Sequence, residues 1–171
     1  MTSTIVKIDK LYDGVTTPTH ATNGSACFDI CAYVPEGHVV TIYDRFNSAF
    51  DVPCSDNGIV LEPSERMLVP TGFSMAIPLG HSVRLHARSG ISLKNGVALA
   101  NSQGIIDSDY RKEVFALLHN TSAEPFRIEH GDRICQGEVV EMVNFQFEDG
   151  VISDGSLERV GGFGSTGINN D

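Results

Sequence analysis

The feature that most constrains the fold is the absence of any long segment in which apolar residues recur with the helical period of about 3.6 residues. Short β-prone runs instead alternate with turn sequences such as Pro35-Glu36-Gly37, Pro63-Ser64-Glu65 and Pro78-Leu79-Gly80. Strands at this regular spacing predict an all-β fold, built as a sandwich, barrel or jelly roll. The predicted strands span residues 4–8, 26–33, 39–43, 58–61, 67–69, 74–77, 83–87, 97–100, 114–118, 126–128 and 134–147.

One domain is expected, because 171 residues with 41% hydrophobic content can bury one sizeable core but leave little room for a second. We assign residues 1–149 to this β-rich core. Within it, residues 44–57 are polar and irregular, which indicates a long surface loop inserted between two strands. Residues 150–171 are rich in glycine and serine, so they cannot pack a core and are expected to form a flexible C-terminal arm.

The charge of the chain disfavours some partners. A formal net charge of -10 and an isoelectric point near 4.9 argue against a broad nucleic-acid footprint and against an anionic membrane surface. A bound phosphate must therefore be held by a few local donors. Residues 1–11 lack the apolar centre of a signal peptide, and no run of about 18 apolar residues predicts a membrane span. We expect a soluble, cytoplasmic protein.

The four cysteines, Cys27, Cys31, Cys54 and Cys135, follow no C-x-x-C spacing. A chain of this size does not need disulfides to fold. Reduced thiols are therefore expected rather than disulfides or a zinc site.

The stretch Gly104-Ile105-Ile106-Asp107-Ser108-Asp109-Tyr110 places carboxylates between the end of one apolar strand and the next predicted strand. Such a turn can aim Asp107 into a pocket, where it could polarise a water molecule as a general base. Asn101 offers an amide that both donates and accepts, which fits the edge of a nucleobase, and Tyr110 offers a flat face. A solvated acidic turn is an equally good interpretation of this stretch alone.

Three further stretches carry donors or a carboxylate. Arg88-Ser89-Gly90 combines a guanidinium, a hydroxyl and a backbone amide before one predicted helical turn, with Ser89 near the N-cap, and such a group suits a phosphate. Asp29 interrupts an alternating apolar strand, and Gly131 to Gln136 is a turn that enters a strand with Arg133 and Gln136 as donors. Taken singly, a surface turn, a strand-edge charge and a hairpin entry explain these three stretches better than a binding site does.

The fifth stretch runs from Arg159 to Gly167 and surrounds Phe163 with glycines and a Ser-Thr pair. Backbone amides in such a segment can fold over an anion while the aromatic ring covers a flat ligand. A disordered glycine tail is the alternative. The segment is not a Walker A motif, because it lacks the Lys-Ser/Thr ending and any βαβ context.

Seen together and in order, the five stretches resemble the five motifs of the trimeric dUTPase family, spread over residues 24–167. The resemblance implies a dUTPase-like jelly roll (β-clip) and a homotrimer whose three active sites each draw on all three subunits, with the C-terminal arm closing over the site. It also implies hydrolysis of dUTP to dUMP and diphosphate with Mg2+, which keeps uracil out of DNA and supplies dUMP for dTTP synthesis.

The resemblance also assigns roles to individual residues. Asp107 is expected to orient the water that attacks the α-phosphorus, and Asp29 to contact Mg2+ only through water. Tyr110 is expected to pack beneath the deoxyribose, and Phe163 to stack over uracil. The remaining expected substrate contacts are Arg88, Ser89, Gly90 and Gln136 to phosphates, Asn101, Gly104, Ile106 and Phe115 to uracil, and Arg159, Gly164, Ser165 and Thr166 in the arm near the terminal phosphates.

The chain departs from the family pattern in three places. Arg159 is one residue closer than usual to the Gly-Gly-Phe-Gly sequence, and residues 44–57 exceed the usual length. Gly137-Glu138 replaces apolar residues after Gln136, which indicates a bulge or an altered strand there. Two other functions are considered. One is a dCTP deaminase, alone or combined with dUTPase activity, and the other is a non-catalytic jelly-roll regulatory protein.

Overall fold

The computed structural model describes residues 4–151, which form an almost entirely β structure with one short helix. The predicted all-β class is confirmed. No described helix is long and apolar enough to span a membrane. The strands are β1 (Lys7–Lys10), β2 (Thr19–His20), β3 (Phe28–Cys31), β4 (Val39–Tyr43), β5 (Ala49–Pro53), β6 (Gly58–Leu61), β7 (Arg66–Ala76), β8 (His81–Ala87), β9 (Val97–Leu99), β10 (Gly104–Ile106), β11 (Glu113–Asn120), β12 (Phe126–Glu129) and β13 (Arg133–Glu141), and helix α1 is Ser89–Asn95.

These strands form three antiparallel sheets. Sheet A has the order β5-β4-β7-β11-β9, with β1 also paired to β7, and sheet B has the order β10-β8-β13-β3-β2. Strands β12 and β6 form a separate pair. Sheet B matters most for function, because β8, β13 and β3 are adjacent and carry three of the five predicted motifs.

Period-two alternation explains how these strands build the core. Along β11, Val114, Ala116 and Leu118 are buried, while the residues between them are half-buried. Phe73 of sheet A and Ile30 of sheet B are both fully buried in the same apolar cluster. The core therefore lies where the apolar faces of the strands meet, and each sheet keeps an outward face for polar side chains.

The prediction of two strands at residues 67–69 and 74–77 is wrong, because β7 continues through the intervening Pro-Thr-Gly sequence. The Thr71 hydroxyl donates to the Val114 carbonyl at 2.7 Å, and the Gly72 amide donates to the Glu113 carboxylate at 2.8 Å. A register shift in β11, between Glu113 and Phe115, accommodates this irregularity. A turn sequence can therefore pass through a sheet when the neighbouring strand satisfies its polar groups.

The prediction of a loop over residues 44–57 is also wrong in part, because β5 pairs with β4 along its whole length. The Asp44 carboxylate accepts hydrogen bonds from the amides of Phe46 and Ser48, at 2.8 and 2.9 Å, and Asn47 adopts a positive φ of 65°. The inserted residues thus form a β-hairpin with an ordered turn rather than an irregular loop.

The last predicted strand ends earlier than expected, at Glu141 instead of residue 147. Beyond it, Met142, Val143, Phe145 and Phe147 are all exposed, and the two phenylalanine rings contact each other edge to face. Most of the predicted arm, residues 152–171, lies outside the described residues, so Arg159, Phe163, Gly164, Ser165 and Thr166 remain sequence predictions.

Candidate active site

The sheet register brings three of the predicted motifs together at one end of sheet B. Gln136 of β13 lies directly opposite Asp29 of β3, and on its other side β13 pairs with β8, whose last residue Ala87 precedes Arg88. The predicted donors and the predicted carboxylate therefore meet, although more than 100 residues separate Asp29 from Arg133 in the sequence. We call Asp29, Arg88, Arg133 and Gln136 the guanidinium cluster.

Asp29 holds the two arginines of this cluster. Its Oδ2 accepts a hydrogen bond from Arg133 Nη1 at 3.1 Å, and its Oδ1 lies 3.5 Å from Arg88 Nε. Arg88 Nη1 also donates to the Arg133 carbonyl at 2.9 Å. The Asp29 side chain is only 17% exposed, so these charge-assisted contacts are partly shielded from solvent. Two guanidinium groups around one carboxylate leave a local positive charge on an acidic protein.

The guanidinium cluster lies beside an open cleft. Gln136 Nε2 donates to the Ala87 carbonyl at 3.1 Å, which ties β13 to the end of β8. A cleft of about 220 Å³ opens beside Arg88 and Arg133 and is also lined by Ile91 and Phe126. Arg88 and Arg133 place positive charge beside a space that an anion can enter, and Asp132 also lines that space.

The predicted helical turn after Arg88 is confirmed as helix α1, but its N-cap is Arg88 rather than Ser89, and Arg88 makes no capping hydrogen bond through its side chain. Ser89 and Gly90 are exposed in the first turn. Their amides are among those that have no partner within a helix. Gly90 also leaves open space where a side chain would lie, so its backbone is accessible to a ligand.

Asp107 lies in the turn between β10 and β11, as the sequence predicted. The Tyr110 amide donates to the Asp107 carbonyl at 3.1 Å, and the Tyr110 hydroxyl donates to the Glu113 carbonyl at 2.9 Å. These bonds fix the turn and the position of the tyrosine ring. The Asp107 side chain is exposed, with no side-chain hydrogen bond to another residue within 4–151, so it can accept a proton from a bound water.

The residues predicted to recognise the base lie on or next to strands β9, β10 and β11. The Ala100 amide donates to the Leu117 carbonyl at 2.9 Å, so Asn101 follows β9 directly alongside β11, the strand that carries Phe115. Gly104 of β10 packs against Leu85, where an added Cβ would lie 3.1 Å from the leucine side chain. Ile106 and Phe115 are half-buried. Gly104 and Ile106 therefore lie on the strand that leads into the Asp107 turn, whereas Asn101 directly follows β9 and Phe115 lies on β11, the strands before and after it in the chain.

One chain does not bring the Asp107 turn to the guanidinium cluster. Ile106 pairs with Val83, so Asp107 lies level with Ser82 at one end of β8, whereas Arg88 follows the other end. Six residues of extended strand separate the two levels, which is about 20 Å. Within one chain, a ligand would have to span about 20 Å to contact both groups.

The predicted bulge at Gly137 is wrong in its position. The register of β13 against β3 shifts between Arg133 and Cys135, while Gly137 pairs regularly with Phe28 and Leu85. A Cβ at Gly137 would lie 2.4 Å from the Phe28 ring. The glycine is there because the aromatic ring occupies the space above its backbone.

The cysteines do not supply a nucleophile or ligand to this site. All four are free thiols. Burial is the largest cause that raises the pKa of Cys135, to about 12, and burial also raises the pKa of the neighbouring Cys31. Both therefore stay protonated at neutral pH. Residues 4–151 contain no group of three or more Cys, His or acidic side chains arranged to hold a metal.

Sequence reasoning missed a hydrogen-bonded pair of side chains on the same sheet face. His86 Nε2 lies 3.1 Å from Glu138 Oε2, between β8 and β13. The available signal was the placement of Arg84 and His86 at every second position of β8, continued by Arg88 directly after the strand. The sequence did not show which β13 residue they would face, because that depends on sheet register.

Comparison with known proteins identifies the class to which this fold and site belong. A mutant dUTPase of Staphylococcus bacteriophage 80alpha with dUpNHpp superposes with a TM-score of 0.75 at 20% identity, over 97% of this chain and 100% of that one. A Streptococcus mutans dUTPase gives 0.62 at 21% identity, over 83% and 98%. A mutant dUTPase of S. aureus phage phi11, in which a structural Mg(II) ion is coordinated, gives 0.67 at 18%, over 87% and 97%. The fold is therefore an all-β dUTPase fold.

The sequence comparisons are more specific. The dUTPase family model matches residues 35–167. Deoxyuridine 5'-triphosphate nucleotidohydrolase of Caulobacter vibrioides is 41% identical over 151 residues, which cover 88% of this chain and 85% of the relative. Its counterpart in Brucella melitensis is 39% identical over 154 residues, covering 90% and 86%. This chain belongs to the dUTPase family. The resemblance inferred from the motifs is confirmed, and with it the predicted enzyme class, dUTP diphosphatase, a hydrolase.

Proposed function

We propose that this protein hydrolyses dUTP to dUMP and diphosphate at a site shared between subunits of a homotrimer. The observation that carries the proposal is the guanidinium cluster, an anion-binding group whose residues come from three of the family motifs. The Asp107 turn supplies the complementary half. Its position about 20 Å along β8 from Arg88 favours a shared site, because the two halves of one chain lie far apart for a single nucleotide to contact both.

Exposed apolar residues after β13 support assembly. Val143 is 83% exposed and Phe147 is 94% exposed, and isolated domains rarely expose such a run of large apolar side chains. A neighbouring subunit would cover them. The arm that follows, with Phe163 over the uracil and Arg159, Gly164, Ser165 and Thr166 near the terminal phosphates, is proposed to close the site of another subunit.

Asp107 is the proposed general base. It accepts a proton from a water molecule as that water's oxygen forms a bond to the α-phosphorus, and the bond from this phosphorus to the bridging oxygen of diphosphate breaks. Arg88, the first-turn amides at Ser89 and Gly90, and Gln136 offset the negative charge on the phosphates. The exposed position of Asp107 suits this role, because the carboxylate is free to meet a substrate-bound water.

Selection of the nucleotide is proposed to rest on the strands around the Asp107 turn. Asn101 and the backbone at Gly104, Ile106 and Phe115 would read the uracil edge. Cytosine presents a donor where uracil presents an acceptor, which leaves buried groups unpaired. Tyr110 would exclude a 2'-hydroxyl, because its ring is held in place by its bond to the Glu113 carbonyl.

Mg2+ is the proposed cofactor, and the residues present fit a water-mediated contact only. Both Asp29 oxygens already face guanidinium groups, yet each keeps a lone pair that can accept from a metal-bound water. When bound, the ion would neutralise charge on the triphosphate. Asp29 is the side chain proposed to hold it, through water, while keeping Arg88 and Arg133 in position.

The proposed cellular role follows from the products. Removal of dUTP would keep uracil out of DNA, and dUMP would supply dTTP synthesis, in the cytoplasm. No stable binding to nucleic acid or to membranes is proposed, because the net charge of -10 repels both.

A nucleotide panel tests the proposal. dUTP, dCTP, dTTP and UTP are incubated with Mg2+ while diphosphate and ammonia are followed together. Diphosphate from dUTP alone is the expected result and reports discrimination at both the base and the sugar. Ammonia from dCTP would instead indicate a deaminase, and no turnover of any nucleotide would indicate a regulatory protein.

A further inference from the structure

Strand β7 carries extra residues where it passes the start of β11. Three residues of β7 lie between the partners of Glu113 and Phe115, whereas on β11 a single residue separates the two. The extra residues cannot follow the regular ladder, so a buried backbone amide among them needs another acceptor. This irregular segment lies close to the turn that carries Tyr110, because β11 begins at Glu113, three residues after the tyrosine.

Gly72 is the extra residue whose amide depends on a side chain. It is buried and adopts a positive φ of 75°. An added Cβ would lie 2.5 Å from Val15 Cγ2 and 2.9 Å from the Tyr33 ring, and the Gly72 carbonyl accepts from the Leu11 amide at 2.8 Å. Close packing on these sides leaves the backbone at Gly72 little freedom to move.

The side chain of Glu113 is joined to this fixed point. Its Oε1 accepts a hydrogen bond from the Gly72 amide at 2.8 Å, although the two residues are 41 positions apart in the sequence. Glu113 is half-buried, so this charge-assisted bond is partly shielded from solvent. Loss of the carboxylate would leave a buried amide without its acceptor, and the strands would have to shift to satisfy it.

The main chain of the same residue holds Tyr110. The Glu113 carbonyl accepts a hydrogen bond from the Tyr110 hydroxyl at 2.9 Å. Tyr110 is 37% exposed, so packing restrains its ring less than it restrains a core side chain. Arg111 donates to the carbonyls of Ser108 and Tyr110, at 2.6 and 2.9 Å, which stiffens the turn without attaching it to β7. The position of the ring therefore depends on Glu113.

We propose that Glu113 is a positioning residue that determines the selection of deoxyribose over ribose. Its carboxylate anchors β11 to the buried Gly72 amide, and its carbonyl holds the Tyr110 hydroxyl. The position of the tyrosine ring is thus set from β7. A ring that can shift leaves room for a 2'-hydroxyl, so UTP is then accepted. This inference rests on the proposed function, because it takes the Tyr110 ring to lie beneath the sugar.

The test compares kcat/KM for dUTP with kcat/KM for UTP. Glu113→Ala should lower this ratio about tenfold, because a small displacement of a positioned group changes transition-state contacts strongly. Glu113→Gln should keep the wild-type ratio, since its amide oxygen can still accept from Gly72. Glu65→Ala is the matched control and should leave the ratio unchanged. Glu65 is also half-buried, and its carboxylate accepts from the Glu62 amide at 3.0 Å, at the opposite end of β7.

A double-mutant cycle shows whether Glu113 acts through the tyrosine. Tyr110→Phe keeps the ring but removes the hydroxyl, so it should also lower the ratio. Adding Glu113→Ala to Tyr110→Phe should lower it no further. A wild-type ratio in Glu113→Ala, or fully additive losses in the double variant, would overturn the inference. If Glu113→Ala does not fold, Glu113→Asp takes its place with the same expectation, since its carboxylate is one methylene shorter.

Binding measurements separate this inference from the proposed function. If wild type hydrolyses neither nucleotide, the proposed function fails, and the affinities for dUpNHpp and its ribose counterpart UpNHpp supply the ratio instead. A weaker preference for dUpNHpp in Glu113→Ala than in wild type would still support the inference. Equal binding of the two analogues by wild type, or no binding of either, would overturn it, because the tyrosine would then exclude no 2'-hydroxyl.

Discussion

Close packing between β3 and β13, the strands that carry Asp29 and Gln136, limits which residues these strands can contain. Gly137 of β13 faces the Phe28 ring so closely that an added Cβ would lie 2.4 Å from Phe28 Cζ. Phe28 is followed directly by Asp29, which orients Arg88 and Arg133. The packing of the Phe28 ring over Gly137 therefore leaves no room for a side chain next to the residue that orients the two arginines.

Gly137→Ala should destabilise the protein by about 1–3 kcal/mol, because the methyl group forces the Phe28 ring or the strand to move. Denaturant unfolding followed by circular dichroism measures this change. Gly24→Ala is the control, since an added Cβ there meets nothing within 4 Å. Equal free energies of unfolding for Gly137→Ala and wild type would show that the ring moves without cost.

Asp29→Asn should raise the KM for dUTP about tenfold, the effect of roughly 1.4 kcal/mol. The amide is neutral and cannot hold both Arg88 and Arg133 through charge-assisted contacts. Steady-state kinetics at several Mg2+ concentrations separate the two proposed roles of Asp29. A changed KM reports the positioning of the arginines, and a changed half-saturation by Mg2+ reports the water-mediated metal contact. A variant with wild-type values for both would contradict both roles.

At the scale of elements, strands β4 and β5 form a hairpin at the edge of sheet A, and the inserted residues supply its turn and β5. Its turn depends on Asp44, whose carboxylate accepts two backbone hydrogen bonds. The hairpin reaches sheet A through β4, which pairs with β7 on the side away from β11. We therefore expect a substitution in the hairpin to change the stability of the protein without changing its activity.

Asp44→Ala should lower the free energy of unfolding by about 1 kcal/mol, because two turn amides lose their acceptor. The kcat and KM for dUTP should stay unchanged. Thermal or denaturant unfolding and steady-state kinetics check the two halves of this prediction, with Asp9→Ala on strand β1 as a surface-carboxylate control. A fall in kcat with unchanged stability would instead connect the hairpin to the active site.

Strands with a clear apolar run could be predicted from the sequence, whereas those that depend on a neighbour could not. The strand that begins at Val114 is predictable because residues 114–118 form a continuous apolar run of strand length. β5 was missed because Phe50 and Asp51 show no such contrast, and only pairing with β4 defines it. β7 was divided because Pro-Thr-Gly reads as a turn, while the structure satisfies those polar groups from β11.

At the scale of the whole molecule, the sequence predicts a set of site residues but not how they are distributed over the fold. Asp107 and Arg88 are only 19 positions apart in the sequence. The register of β10 on β8 nevertheless places Asp107 beside one end of β8, whereas Arg88 follows the other end. Register is a tertiary property that residue spacing does not encode. Only the family resemblance suggested that different subunits complete one site.

Subunit mixing tests this central claim most directly. Asp107→Asn and Arg88→Ala should each be nearly inactive alone, because each lacks one half of every site. When equal amounts are unfolded and refolded together, random trimers should pair an intact Asp107 with an intact Arg88 at about a quarter of their sites.

The account predicts that this mixture regains about a quarter of wild-type dUTP hydrolysis, while the same variants combined without unfolding stay at baseline if subunits do not exchange. A refolded mixture that contains both variants in the same trimers, yet is no more active than its parents, would contradict the account. In that case each chain would have to build its active site alone.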